Sequence, residues 1–291
     1  MLPFHTSSLI IRRATQGDAR HIKRLLDDSW AVHTRIATTS VQDKLDSCVA
    51  FLAEDAVSLR GFMMVEPQPP HSSLILTVGI HDNKKALPII QALISAIEAE
   101  LLADGLTSMT HIGEAPWLNR ELSKFGFEQV DKIVTFDWRP IPLPQIRPHP
   151  KLTVRSARLE DIPYLIALDR LAFGPVWQKP KSAFQEAIRQ AISFAVGIID
   201  DEIVAYEWCD QYDERAHLTR LATQPDYQGE GIGTLLLHYT LQTMHNLNIK
   251  VVSLNTQVSN VRSQELYKRF GFKRTSEEAG VYWKVLQDPG V

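Results

Sequence analysis

Cysteine is almost missing from this chain. Only Cys48 and Cys209 occur in 291 residues, and their separation fits neither a metal site nor a redox pair. They read as reduced thiols of a cytoplasmic protein. Long apolar runs are missing too: no stretch approaches the 18 uninterrupted apolar residues of a spanning helix. Met1-Leu2-Pro3-Phe4-His5 lacks a basic segment leading into an apolar core, so no signal peptide is expected. Nor is there an excess of either charge. With 31 Lys and Arg against 34 Asp and Glu, the formal net charge is −3, which argues against nucleic acid or an anionic membrane as partner. What is present is an ordinary soluble composition, 44% hydrophobic and 22% charged, long enough for one large domain or two ordinary ones.

Glycine is sparse as well, 14 in all, and three of these fall at alternate positions, Gly229, Gly231 and Gly233. They follow a short apolar run and a Pro225-Asp226 turn, and Leu235, Leu236 and Leu237 then open a helical pattern. The order is strand, loop, helix. A loop poor in side chains at a helix N-terminus leaves backbone N–H groups uncovered, and the helix dipole adds positive potential. Such a loop seats a phosphate or pyrophosphate. A dinucleotide fingerprint would need a glycine at Thr234 and an acid near Leu254 or Asn255, and a P-loop would need Gly-Lys-Ser/Thr. Neither is found.

A second pattern follows a short β-branched strand at Val251 to Asn255. Asn260, Ser263 and Tyr267 share one helical stripe, Gly271 stands at a left-handed C-cap position, and Phe272 can fold back on the last turn. Gln228, Gly231 and Gly233 together with this later stripe resemble the two cofactor motifs of the GCN5-related N-acetyltransferase (GNAT) family.

Five prolines between Trp138 and Pro150 suggest a semi-rigid linker near the midpoint. The flanking halves look like repeats. Leu9 to Ala14 matches Leu152 to Ala157, each followed by an acid (Asp18, Asp161) and an amphipathic helix, and Lys124-Phe125-Gly126-Phe127 echoes Arg269-Phe270-Gly271-Phe272. The expected organisation is a domain at 1–138, a linker at 139–150 and a second domain at 151–291. In tandem layout the chain is similar to mycothiol synthase. The first half departs where chemistry would need it. His81-Asp82-Asn83-Lys84-Lys85-Ala86 stands in place of the glycine loop, and Ala115, Leu118 and Leu122 replace the polar stripe. A non-catalytic first domain follows.

The resemblance implies an α/β (α+β) fold of two tandem GNAT-like domains, each a mixed twisted sheet flanked by helices. Helices are expected at Ile162 to Ala172 and Ser182 to Gln190, with a hairpin turning at Asp200-Asp201-Glu202. Strands four and five of the second sheet should splay to admit a pantetheine arm. It further implies acetyl-CoA as co-substrate, no metal, and cofactor contacts at Leu221, Ala222, Thr223, Gln228, Gly229, Glu230, Gly231, Ile232, Gly233, Thr234, Asn255, Asn260 and Ser263. An amine attacking a thioester needs a base, its oxyanion a donor, and the departing thiolate a proton. Tyr267 stands at the family's usual position for the acid. His217, on the strand before the loop, is the first candidate for the base, with Glu207 next; Asp213 and Glu214 read as solvated. The acceptor is expected to be a small-molecule or peptide amine. An N-terminal peptide acetyltransferase and a non-enzymatic acyl-CoA sensor are the alternatives, and the oligomeric state is open.

Overall fold

The computed structural model describes residues 9–68, 70–82 and 86–286. The chain divides into two compact units, one of residues 1–130 and 279–291, the other of residues 131–278. This division does not fall at the proline segment. Each half of the chain sends its last strand into the sheet of the other unit.

In the first unit the sheet runs β1 (Ile10–Arg13), β3 (Val49–Glu54), β4 (Leu59–Gln68), β5 (Ser72–Ile80) and β6 (Ser108–Gly113). Residues 280–285 of β13 (Lys273–Val285) complete it beside β6. Only β5 and β6 are parallel among these pairs. Helices α1 (Ala19–Asp28) and α2 (Val41–Lys44) cover one face through Ile22, Leu25, Leu26 and Val41. Helices α3 (Ala86–Ala103) and α4 (Pro116–Ser123) cover the other through Ile90, Leu93, Ile97, Leu118 and Leu122. At 18 residues and mean hydropathy 1.6, α3 is long and apolar enough to cross a membrane, but its apolar stripe packs into this core. Leu118 and Leu122 are fully buried there, as their apolar character requires.

In the second unit the order is β8 (Thr153–Ser156), β9 (Ser193–Ile199), β10 (Glu202–Tyr212), β11 (Arg215–Thr223) and β12 (Val251–Gln257). Residues 133–138 of β7 (Glu128–Trp138) close the series beside β12. Helices α5 (Ile162–Ala172) and α6 (Lys181–Gln190) pack on one face against Phe194, Tyr206 and Trp208. Helices α7 (Ile232–Asn246) and α8 (Val261–Arg269) pack on the other against Leu218, Leu254 and Phe136. Burying each of Leu236, Leu237 and Leu241 of α7 contributes ~2 kcal/mol. The hairpin turns at Asp200 and Asp201, both at positive φ (49° and 65°), the hand that matches strand twist. The segment 139–150 forms no strand or helix, and its Leu143 and Ile146 pack on the core below α7. Cys48 and Cys209 are free and buried.

The repeat extends to side-chain detail. Arg12 forks onto both carboxylate oxygens of Asp18 (2.8 and 2.7 Å), and Arg155 onto those of Asp161 (2.7 and 2.9 Å). In each case the guanidinium holds the carboxylate below its usual range. Gly126 and Gly271 both sit at positive φ (81° and 85°), each followed by a phenylalanine whose N–H reaches back five residues, to Leu122 O and Tyr267 O. These are paired Schellman caps.

Candidate active site

The site begins at a defect in β11. Trp208 and Cys209 of β10 are consecutive, yet they face Arg220 and Leu218, so Thr219 is an extra, bulged residue. A bulge bends its strand and raises the local twist. Here it coincides with the end of pairing on the other side: β11 and β12 match from Arg215↔Val251 to Leu218↔Leu254 and no further. Beyond the bulge, Arg220 to Thr223 keep β10 on one side only, while β12 turns to β7 from Val252 to Gln257. The strands splay, opening a slot along which, among the described residues, no strand pairs with Leu221 to Thr223.

Leu221, Ala222 and Thr223 form that edge. The glycine loop closes its end. Gln228 donates through Nε2 to Thr223 O (3.1 Å) and accepts from Arg262 Nη1 (3.0 Å), tying strand, loop and α8 together. Gly229 and Gly231 adopt φ of 101° and 86°, which side chains rarely tolerate. A Cβ on Gly233 would meet Thr223 Oγ1 at 3.5 Å and Leu266 Cδ2 at 3.9 Å, so this glycine lets helix and strand approach. No atom lies within 4 Å of a Cβ position on Gly231, so the loop's backbone faces open space. Ile232, Gly233 and Thr234 supply the free N–H groups of the first turn of α7. Residues and backbone here fit an anionic diphosphate. The side chain of Glu230 is turned toward His149 (3.4 Å), so only its backbone belongs to the cradle. Arg262, which sequence reasoning passed over, brings a cation to the cradle's rim, with Nη2 3.9 Å from a Cβ position on Gly229.

Asn260 caps α8, its Oδ1 accepting from Ser263 N (3.1 Å), so its side chain is already committed to the helix end. Asn255 lies where β12 leaves β11 and accepts from Thr135 Oγ1 (3.0 Å). Tyr267 is 7% exposed, with its ring between Phe136 and Phe272 (centroids 6.3 and 5.7 Å). Burial pushes its phenol up to about 12, against a smaller lowering by Ser263. It is protonated at neutral pH and able to donate.

The two candidate bases fall on opposite faces of the sheet. Glu207 pairs with Leu221, whose side chain packs toward α7. It is fully buried; Oε1 accepts from Ser193 Oγ (2.7 Å), and among the described residues none is placed to hydrogen-bond Oε2 within ordinary geometry. Burial, offset only in part by Ser193, Thr240 and the backbone of Ala195, raises the carboxyl to about 7. His217 pairs with Asp210 instead, on the face of α5 and α6. Its Nδ1 lies 2.9 Å from Ser253 Oγ. Burial lowers its pKa, while Asp210 and Asp137 act the other way. Asp210, also unread in the sequence, accepts from Trp208 Nε1 (3.1 Å) and Thr219 Oγ1 (2.5 Å). Nearby, Arg220 stacks 4.2 Å over the Phe173 ring and donates to Trp177 O, while Asp169 accepts from Tyr206 Oη (2.5 Å) and Lys179 N (2.9 Å). These bonds fix the loop at 173–179 over this face. Asp213 and Glu214 are exposed, as expected.

The same construction recurs in the first unit up to a point. Leu76 is bulged in β5 as Thr219 is in β11. Beyond it, however, β2 (Ala31–Thr34) pairs antiparallel with Thr77 to Ile80, and Arg35 N donates to Leu76 O (2.8 Å). A strand of the protein's own chain occupies the edge left bare in the second unit. Lys84 and Lys85 lie outside the described residues. Among the described residues, no group of three or more His, Cys, Asp or Glu is placed to hold a metal ion.

The splayed strand pair thus ends in a glycine cradle, with a neutral phenol on one face. The profile of the acetyltransferase (GNAT) family matches residues 162–272. An N-alpha-acetyltransferase of Sulfurisphaera tokodaii is 31% identical over 41% of this chain and 79% of its own length. The mycothiol acetyltransferase of Propionibacterium freudenreichii is 24% identical over 58% of each chain. In fold, a tandem GNAT protein from the clavulanic acid biosynthesis pathway superposes over 97% of this chain and 99% of its own, with a TM-score of 0.62 at 12% identity. The chain belongs to the GNAT family and is an acyl-transferring enzyme.

Proposed function

We propose that the chain is an acetyl-CoA-dependent N-acetyltransferase, that residues 131–278 carry the chemistry, and that the acceptor is a primary amine of a small molecule. The observation that carries this reading is the bare edge of β11 between the bulge and the glycine cradle, flanked by His217 on one face and Tyr267 on the other. In this reading the loop from Gln228 to Thr234 and Arg262 hold the diphosphate, and Leu221 to Thr223 hydrogen-bond the arm. When bound, the co-substrate supplies an activated acetyl thioester.

The acceptor amine approaches from the face of α5 and α6. His217 Nε2 takes the proton that the nitrogen loses as it bonds to the carbonyl carbon. Backbone N–H groups beside the Thr219 bulge stabilise the oxyanion. As the carbon–sulfur bond breaks, Tyr267 gives its phenolic proton to the sulfur, and solvent restores both groups. Base and acid lie on opposite faces of the sheet, so the proton taken from the nitrogen and the proton given to the sulfur move on different sides of it. Glu207, sealed beneath α7, is structural in this scheme. The first unit contributes no chemistry, because β2 fills its counterpart of the slot.

A peptide amine is the second reading, favoured by the likeness to the archaeal N-alpha-acetyltransferase. A panel of small amines and N-terminal peptides with acetyl-CoA, followed by free-thiol release, separates the two. Thiol release with no amine at all, despite measurable CoA binding, would leave an acyl-CoA sensor.

A further inference from the structure

We infer that Ser253 is a positioning residue that fixes the tautomer of His217, leaving Nε2 as its basic nitrogen. The inference rests on the reading of His217 as the base. Ser253 and His217 are register partners in the parallel pair of β12 and β11, so their side chains share a face. The hydroxyl has one proton. Ala216 O, the carbonyl just before His217, lies 3.3 Å from Ser253 Oγ and can only accept, so in this assignment the proton goes there. What Oγ offers the imidazole at 2.9 Å is therefore a lone pair, and Nδ1 must carry a hydrogen to use it. A neutral imidazole has only one N–H. Nε2 is then the acceptor.

The other charged groups bearing on the ring are consistent with this assignment. Asp210 on β10 accepts from Trp208 and Thr219 rather than from the imidazole. Asp137 on β7 forms an ion pair with Arg215 (3.5 Å). Lys179, in the loop before α6, opposes protonation of the ring. Among the described residues, none hydrogen-bonds Nε2. The relay from carbonyl to hydroxyl to Nδ1 selects the tautomer without adding charge. A carboxylate in the place of Ser253 would select the same tautomer but hold the ring protonated.

The first arm of the test needs no substrate. In long-range proton–nitrogen correlation spectra of the 15N-labelled full chain at pH 8, with His217→Gln assigning the signals, His217 should show a protonated Nδ1 and a bare Nε2. In Ser253→Ala the ring should redistribute between tautomers, and Ser253→Thr should restore the original one. A hydrogen on Nε2 in the native protein, or an unchanged ring in Ser253→Ala, overturns the inference. The second arm uses acetyl-CoA with the best amine of the panel above. Ser253→Ala should lower kcat roughly 10- to 100-fold, as loss of an orienting partner does elsewhere. The KM for acetyl-CoA should stay within about twofold, and Ser253→Thr should recover most of kcat. Full turnover in His217→Gln would refute the base itself whatever the spectra show. Lost turnover in His217→Gln with normal turnover in Ser253→Ala would keep the base and refute the positioning role.

Discussion

Tyr267 and Gly231 test the site at the level of single residues. Because burial keeps the Tyr267 phenol protonated, Tyr267→Phe should lower kcat by roughly 10-fold or more as proton donation is lost. Its CoA affinity, by calorimetry, should stay within about twofold; equal loss of both would make the hydroxyl architectural. Gly231→Glu should abolish CoA binding, since the new carboxylate would face the cradle from a backbone held at positive φ. Unchanged affinity would remove the loop from the site. As candidates both residues are legible in the sequence because short local patterns carry them: alternate glycines before a helix, and a polar stripe ending at a C-cap. The relation between His217 and Glu207 is not. In a regular strand His217 and Leu221, four apart, would share a face, but the Thr219 bulge inverts the alternation. No residue type announces that insertion. Arg262 and Asp210 went unread for a similar reason, since a charge in a first helical turn or near a strand end is ordinary until its cross-chain neighbours are known.

Among the elements, α8 depends on its two ends. Asn260→Ala removes the cap on Ser263 N and should cost ~1 kcal/mol in urea unfolding, whereas Asn260→Asp retains an acceptor there and should cost less. A full loss of CoA binding in Asn260→Ala, with stability unchanged, would instead give the side chain a direct part in the site. Helix and strand order in the second unit followed from periodicity, and the expected α5 spans the residues observed, Ile162–Ala172. Strand β2 could not be read this way. Four residues long, it is defined by a partner some 45 positions further along, and nothing in Ala31-Val32-His33-Thr34 specifies β5 rather than another edge.

For the molecule as a whole, pH should act in two opposed directions. In the first unit His33 and His111 stack edge to face, 4.5 Å apart, and His111 Nε2 lies 3.0 Å from Asn119 Oδ1. Burial lowers them to about 4 and about 3, well under the unfolded value near 6.5. Below that value the unfolded chain binds protons that the folded one refuses, so stability should fall as pH drops from about 6.5 toward 4. His111→Asn should flatten this limb in calorimetric Tm profiles. Glu207 works the other way: its pKa of about 7 lies above the unfolded value of 4.5, so its contribution is complete at low pH and is lost as pH rises through 7. Glu207→Gln should raise Tm at pH 8 while preserving turnover; a loss of turnover would return Glu207 to the chemistry. The exchange of last strands bears on how this protein can be taken apart. A cut within 139–150 would leave one fragment carrying a strand whose partners are in the other, and each sheet one member short. The natural use of such a cut is fragment complementation, with activity returning only when both pieces are mixed. For the same reason, neither half can be shed by simple deletion, and that is a structural reason for a duplicated chain to keep both copies.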